Sequence, residues 1–359
     1  MTTDTTFDAE RQPASAPSPG VEHELVERLL SGVSRTFALT IPQLPKELMQ
    51  VVAVAYLLCR IVDTIEDEPA LSTDAKRRFC KLFVSVVDGM ADAERLSTEL
   101  APLLSGHTLP AEHELIRQIP RVVGIVRGFS RSQQRALGDC VAIMSEGMVE
   151  FQASADRGGL ADLAALDRYC YHVAGVVGEM LTRLFCEHSP AIDRNRDELM
   201  ALAVSFGQGL QMTNILKDLW EDLERGACWL PRTVFAEAGF DVAALARGRY
   251  SDSFGRGLAR LIAIAHGHLR DALRYTLLIP AGETGIRNFC LWAIGMALLT
   301  LRKIDRHRDF RSGDQVKISR ASVRATVAAS RIVARHDAAV RALFRVASLG
   351  LPALPRGSF

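Results

Sequence analysis

The sequence predicts an all-α protein, a single domain in which a helical bundle surrounds a central cavity. Three observations carry this expectation. Apolar residues recur at helical period along most of the 359 residues, while regular alternation and hairpin signals such as Asn-Gly are missing. Several runs are apolar on nearly every side, which marks helices buried within a bundle. Two acidic boxes, Asp63-Thr64-Ile65-Glu66-Asp67 and Asp218-Leu219-Trp220-Glu221-Asp222, each close one such run, and bundle sites are built from facing helices.

Residues 1–20 are rich in Thr, Ser, Pro and Ala and lack the apolar stretch of a signal peptide, so a disordered segment is expected there. A helix is expected over 22–31. Ser34 then reads as the N-cap of a short helix that Pro42 interrupts. From Leu48 to Cys59 the chain is apolar on nearly every side, and this helix should end near Pro69, because the residue before a proline is pushed out of the helical region. Further helices are expected over 73–91, 112–127, 131–155, 162–187, 194–224, 252–278, 286–305 and 319–346. Breaks fall at 106–110, 158–159, Gly226 and 280–285. The domain is therefore 21–346, with 347–359, which holds two prolines and an arginine, as a flexible tail. No uninterrupted apolar run approaches the ~20 residues that span a bilayer.

Lys+Arg 43 against Asp+Glu 42 leaves a formal charge of +1. Without a global basic field, nucleic-acid binding is not expected, and charges must be read locally. Seven cysteines show neither CxxC nor Cys/His spacing. That argues against zinc and a disulfide framework and for buried, reduced thiols in a cytoplasmic protein.

The chemistry concentrates in four places. Tyr56, Arg60, Asp63, Thr64 and Asp67 lie three or four residues apart, forming a polar stripe on an otherwise apolar helix. Arg60 can be a plain i, i+3 ion pair, or it can grip a diphosphate oxygen while the acids hold metal. Gln211, Asn214, Asp218, Glu221 and Asp222 descend a second face, with Lys217 and Arg225 alongside. Burying such a stripe unpartnered would cost about 1–3 kcal/mol per group. Clustered carboxylates near a helix C-terminus repel one another and oppose the macrodipole, so two copies point to a cationic partner. Hard oxygen ligands without a His/Cys set point to Mg²⁺ bridging to substrate phosphates. The other two places are Ser34-Arg35-Thr36-Phe37, where hydroxyl and guanidinium could meet the same phosphates, and the segment 169–185. There Gly175 and Gly178 read as close helix approach or room for a ligand, and His172 reads as a satisfied helix histidine. Tyr169 is either an amphipathic core residue or a phenol pointing into the cavity.

Together the two boxes, Ser34-Arg35-Thr36-Phe37 and the 169–185 segment resemble the squalene/phytoene synthase family, in the family's order, over about residues 22–303. The resemblance implies an all-α isoprenoid-synthase fold, Mg²⁺, and head-to-head joining of two prenyl diphosphates. Ile286-Arg287-Asn288-Phe289-Cys290 resembles the Asn-Phe-Cys helix of squalene synthases, and Val316-Lys317-Ile318-Ser319-Arg320 resembles a stretch near their NADPH site that non-reducing relatives, such as the dehydrosqualene and phytoene synthases, usually lack. The alternative is such a non-reducing relative, a presqualene diphosphate, dehydrosqualene or phytoene synthase. Two departures stand out: Lys217 where an Arg is usual, and Leu291-Trp292-Ala293-Ile294 in place of Ala-Ile-Pro-Gln.

On this resemblance two farnesyl diphosphates meet through presqualene diphosphate, and NADPH reduces the product to squalene. Asp63, Asp67, Asp218 and Asp222, with Glu66 and Glu221 in support, are the implied metal ligands. Tyr169 is the implied reactive-site tyrosine, and Arg60 would stabilise the departing diphosphate. Ser34, Arg35, Phe37, Gln211, Asn214, Lys217 and Phe289 would contact substrate, and Lys317 and Arg320 the NADPH. No Rossmann glycine fingerprint accompanies that last assignment. An extremely apolar product is expected to leave toward a membrane, with peripheral attachment at its inner face as one route.

Overall fold

The structure, a computed structural model, describes residues 19–154 and 157–353. Helices α1 (Pro19–Val33) and α2 (Arg35–Thr40) lead into α3 (Lys46–Asp67), which carries the first acidic box. The short α2 forms because Ser34 Oγ accepts the Phe37 amide at 3.0 Å, and it gives way to a 3₁₀ turn at Pro42. Helix α3 stops where Glu68 turns extended ahead of Pro69. Its length and its buried Leu48–Ile65 residues match the all-round apolar run.

Helices α4 (Thr73–Val87), α5 (Ala93–Leu100), α6 (Pro110–Arg117), α7 (Ile119–Val126) and α8 (Arg131–Ser154) complete one core cluster with α3. The stretch expected as one helix over 112–127 is split, since Pro120 cannot continue α6. Beyond it, α9 (Leu163–Cys170) passes through a π turn at Tyr171–Gly175 into α10 (Val176–His188). The expectation of a single regular helix over 162–187 is thereby corrected. Such turns add a residue to the helical register and rotate the faces on either side.

Helix α11 (Pro190–Asp193) precedes α12 (Arg196–Lys217) and α13 (Leu219–Glu224), which part at Asp218. Helices α14 (Arg232–Glu237), α15 (Asp252–Leu278), α16 (Thr284–Arg306), α17 (Gly313–Val316), α18 (Arg320–Val333) and α19 (Asp337–Ala347) follow. The run expected over 319–346 is therefore two helices. Arg287 holds their joint: its buried guanidinium donates to the Ile279 and Ala334 carbonyls and pairs with Asp337 at 2.8 Å.

Helices α12, α15 and α16 anchor a second core cluster, and Phe206 packs against both clusters. Among the described residues only an isolated bridge, Leu160 to Pro231, departs from helix and loop. All seven cysteines are free and buried. Helices α3 and α16 are long and apolar enough to cross a membrane by length and composition, yet both are largely buried in the bundle, as core helices are.

Candidate active site

A cavity of about 280 Å³ lies within the first cluster and reaches the second at Phe206 and Leu210. Its walls follow the sequence gradient of two helices. Along α3 they are Val52, Tyr56, Cys59 and Asp63; along α12 they run from Ala203 and Phe206 through Leu210 to Gln211 and Asn214. Each helix grades from apolar to polar toward its C-terminus, so the cavity is dry at one end and acidic at the other. Helix α10 can line it because Gly178 lies against α12, where an added Cβ would sit 2.2 Å from the Ala203 carbonyl oxygen. Phe37 stacks obliquely on Tyr56 with centroids 4.7 Å apart, and Phe289 meets Phe185 edge to face. A polar pair is built into the wall: Tyr275 and Thr182 hydroxyls lie 2.9 Å apart, fully enclosed.

At the acidic end, Arg60 bonds the buried Glu112 and sits 3.6 Å from Asp63. Burial opposes the guanidinium charge, but Asp63 and Glu112 outweigh it. Burial also pushes the Asp63 carboxyl up to about 7, with Arg60 working against the rise and Asp67 and Glu112 adding to it. Glu66 rises to about 8 through burial and then its neighbours Asp67 and Asp63. Thr64, by contrast, turns back to bond the Arg60 carbonyl at 2.8 Å and takes no part in the polar stripe.

In the second box Lys217 Nζ lies 3.1 Å from Asp218, and Arg225 pairs with Asp222. Burial takes Asp222 up to about 6 despite Arg225, and Asp218 and Asp67 both contribute. The influence of Asp67 on Asp222 and Arg225 crosses from one box to the other. Tyr169 sits in the same field: burial first, then Glu66 and Asp222, hold its phenol protonated well above the ordinary range. Its ring stacks on Trp229 at 4.0 Å and 7° and meets Phe151 edge to face. Glu221 turns toward α17, accepting the Gly313 amide at 2.9 Å, and its Oε2 is buried without a hydrogen-bond partner among the described residues.

Asp63, Phe37, Gln211, Asn214 and Phe289 are thus brought together on one cavity wall, with Tyr169, Glu66, Asp67 and Asp222 in a shared electrostatic field. Ser34 spends its side chain on the α2 N-cap, and the side chain of Arg35 lies outside the described residues. Lys317 and Arg320 are exposed, and Lys317 Nζ lies 3.4 Å from Asp314. His172 bonds the Arg168 carbonyl at 2.8 Å. Sequence reasoning missed Glu112 and Trp229. The first had a signal, since Pro110 and Glu112 suit a helix start; the second, in irregular chain after Gly226, had none.

Among the described residues no three His, Cys, Asp or Glu side chains form a preformed metal cage. Mg²⁺ does not need one, because it keeps several waters and takes one or two carboxylates plus substrate phosphates. The donor set suits it: oxygens alone, several of them raised by burial and mutual repulsion.

The squalene/phytoene synthase family profile matches residues 30–322. Squalene synthase of Yarrowia lipolytica is 29% identical over 289 residues, 78% of this chain and 61% of that protein. Squalene synthase of Schizosaccharomyces pombe is 27% identical over 308 residues, 82% of this chain and 64% of that one. The chain thus spans under two thirds of these relatives' length. Among solved structures, a ligand complex of TcSQS superposes with a TM-score of 0.70 at 22% identity, covering 91% of this chain and 98% of the other. A dehydrosqualene synthase gives 0.61 at 19%, covering 87% and 96%. At these identities the likeness establishes the fold.

Proposed function

Since the chain belongs to the squalene/phytoene synthase family, we propose that it joins two farnesyl diphosphates head to head through presqualene diphosphate and reduces the product to squalene with NADPH. One observation carries the reading: two acidic helix ends meet at one end of a cavity that is otherwise apolar. A diphosphate belongs at the acidic end with its cations, and a prenyl chain in the dry part.

Asp63, Asp67, Asp218 and Asp222, supported by Glu66 and Glu221, would hold Mg²⁺. When bound, Mg²⁺ neutralises the departing diphosphate and acts as a Lewis acid. Arg60, Lys217 and Arg225 add positive charge around it, and the amides of Gln211 and Asn214 donate from the wall. The apolar lining keeps water from the allylic cation, and Phe37, Tyr56 and Phe289 offer ring faces to it. Tyr169 would help remove the proton that closes the cyclopropane. Its phenol is held protonated, so it serves as a relay: the oxygen accepts a proton while its own passes to Glu66, Asp222 or the diphosphate.

The reductive half rests on Lys317 and Arg320. NADPH, when bound, supplies the hydride that quenches the last cation. The loop carrying Lys317 is tied to the second box through the Gly313–Glu221 bond. A second reading, a non-reducing relative, is favoured by the outward placement of Lys317 beside Asp314. Product analysis with farnesyl diphosphate and Mg²⁺, with and without NADPH, separates the two. Squalene only with NADPH supports the full reaction. Presqualene diphosphate or dehydrosqualene regardless of NADPH keeps the acidic boxes and discards the reduction, while no product from farnesyl diphosphate turns the assay to geranylgeranyl diphosphate and phytoene.

A further inference from the structure

Residues 320–349 contain six arginines and one acidic residue, in a chain whose remainder is net acidic. That lone acid, Asp337, is already paired with Arg287. On α18 the arginines Arg320, Arg324 and Arg331 recur at spacings that align them on one stripe, and Arg335 follows just past the helix end. Arg331 is engaged, lying over Trp292 and bonding Gln43. Arg324, Arg335, Arg341 and Arg345 are exposed and take part in no ion pair among the described residues.

Beside these charges stand the exposed apolar side chains of Ile332, Val346 and Leu349. The charged face also adjoins an opening. A second cavity of about 340 Å³ lies between α16, α18 and α19, lined by apolar residues that include Leu298, Leu343 and Phe344. Val346 both lines it and reaches solvent, so the apolar interior is continuous with the exposed face.

We propose that the outer face of α18 and α19 docks on a bilayer containing anionic phospholipid, with an acyl chain entering the groove between these helices and α16. Charge complementarity selects the partner. A row of unpaired guanidinium groups flanked by aliphatic side chains matches a phosphate surface over hydrocarbon, the pattern by which interfacial helices bind membranes. Arg302 lines the groove as well, with one guanidinium nitrogen 3.3 Å from the Ala347 carbonyl, and offers its remaining donors to a phosphate. The proposal does not depend on the reaction: a chain inactive toward farnesyl diphosphate would still dock.

Vesicle flotation of the full chain tests it. Wild type should bind mixed phosphatidylcholine/phosphatidylglycerol vesicles, bind phosphatidylcholine alone far more weakly, and be released by salt. Each exposed arginine near the surface is worth about a fivefold change in binding. The R324A/R341A/R345A variant should therefore lose about a hundredfold while keeping turnover in detergent, which also shows that it folds. V346S/L349S, which adds no charge, should weaken binding to the same vesicles through the apolar contact. Equal binding to neutral vesicles, unchanged binding by either variant, or displacement by soluble glycerol phosphate would each overturn the bilayer assignment. So would tight RNA binding that anionic vesicles fail to compete.

Discussion

On α3 the first acidic box rides an unbroken helix into a buried web, where Arg60 is shared between Asp63 and Glu112. The second straddles the break between α12 and α13, and its cation Arg225 is two-thirds exposed. Near copies in sequence, the two boxes have been solved differently by the fold. The first couples chemistry to stability, since its arginine also satisfies a buried acid. The second holds Lys217 about as buried as Arg60 but keeps Arg225 near the surface, where little structure depends on it. What they share is carboxylates raised by burial and by one another, a state that a bound cation would relieve.

The largest expected effect treats the boxes alike. Asp63→Asn and Asp218→Asn should each lower squalene formation by about 10²–10³, with helical circular dichroism unchanged. Near-normal turnover by either would remove that box from the chemistry. The arginines should then separate the boxes. Arg60→Ala leaves Glu112 as a buried charge without its cation and should cost about 2–3 kcal/mol in denaturant unfolding. Arg225→Ala should cost under about 1 kcal/mol and act on turnover instead. Equal stability losses would show that the contrast is not real.

Glu68, just past the first box, sharpens the structural side. Its carboxylate, fully buried, accepts from the Ala70 and Ser105 amides and Thr108 Oγ1. Those bonds overcome burial and hold it down to about 2. Its contribution is present above the unfolded value of 4.5 and is lost as pH falls toward 2. Glu68→Gln should cost about 1–3 kcal/mol at neutral pH and flatten the acid limb of a melting-temperature profile. The box carboxylates carry the opposite sign. Asp63, Glu66 and Asp222 bind protons more tightly when folded, so their ionisation weakens the metal-free chain as pH rises from about 4 to 8. Adding Mg²⁺ with inorganic diphosphate should reverse that modest decline; a flat profile in both conditions would mean that folding does not raise these carboxyls.

Local pattern determined the helical class, the long apolar run of α3, its stop before Pro69, the Ser34 cap and both acidic stripes. Each is settled by residues within a few positions of one another, through helical periodicity, capping or proline sterics. The π turn at Tyr171–Gly175, the break at Asp218 and the split of the 319–346 run were not legible, because each is imposed by packing against distant chain. Glu112 reaching Arg60, Trp229 stacking on Tyr169, and Asp67 bearing on Asp222 likewise join residues far apart in sequence. A sequence states which groups are polar and how they are spaced along a helix. Which charges meet, and how much water is left between them, depends on how the helices pack, and only the tertiary structure decided that.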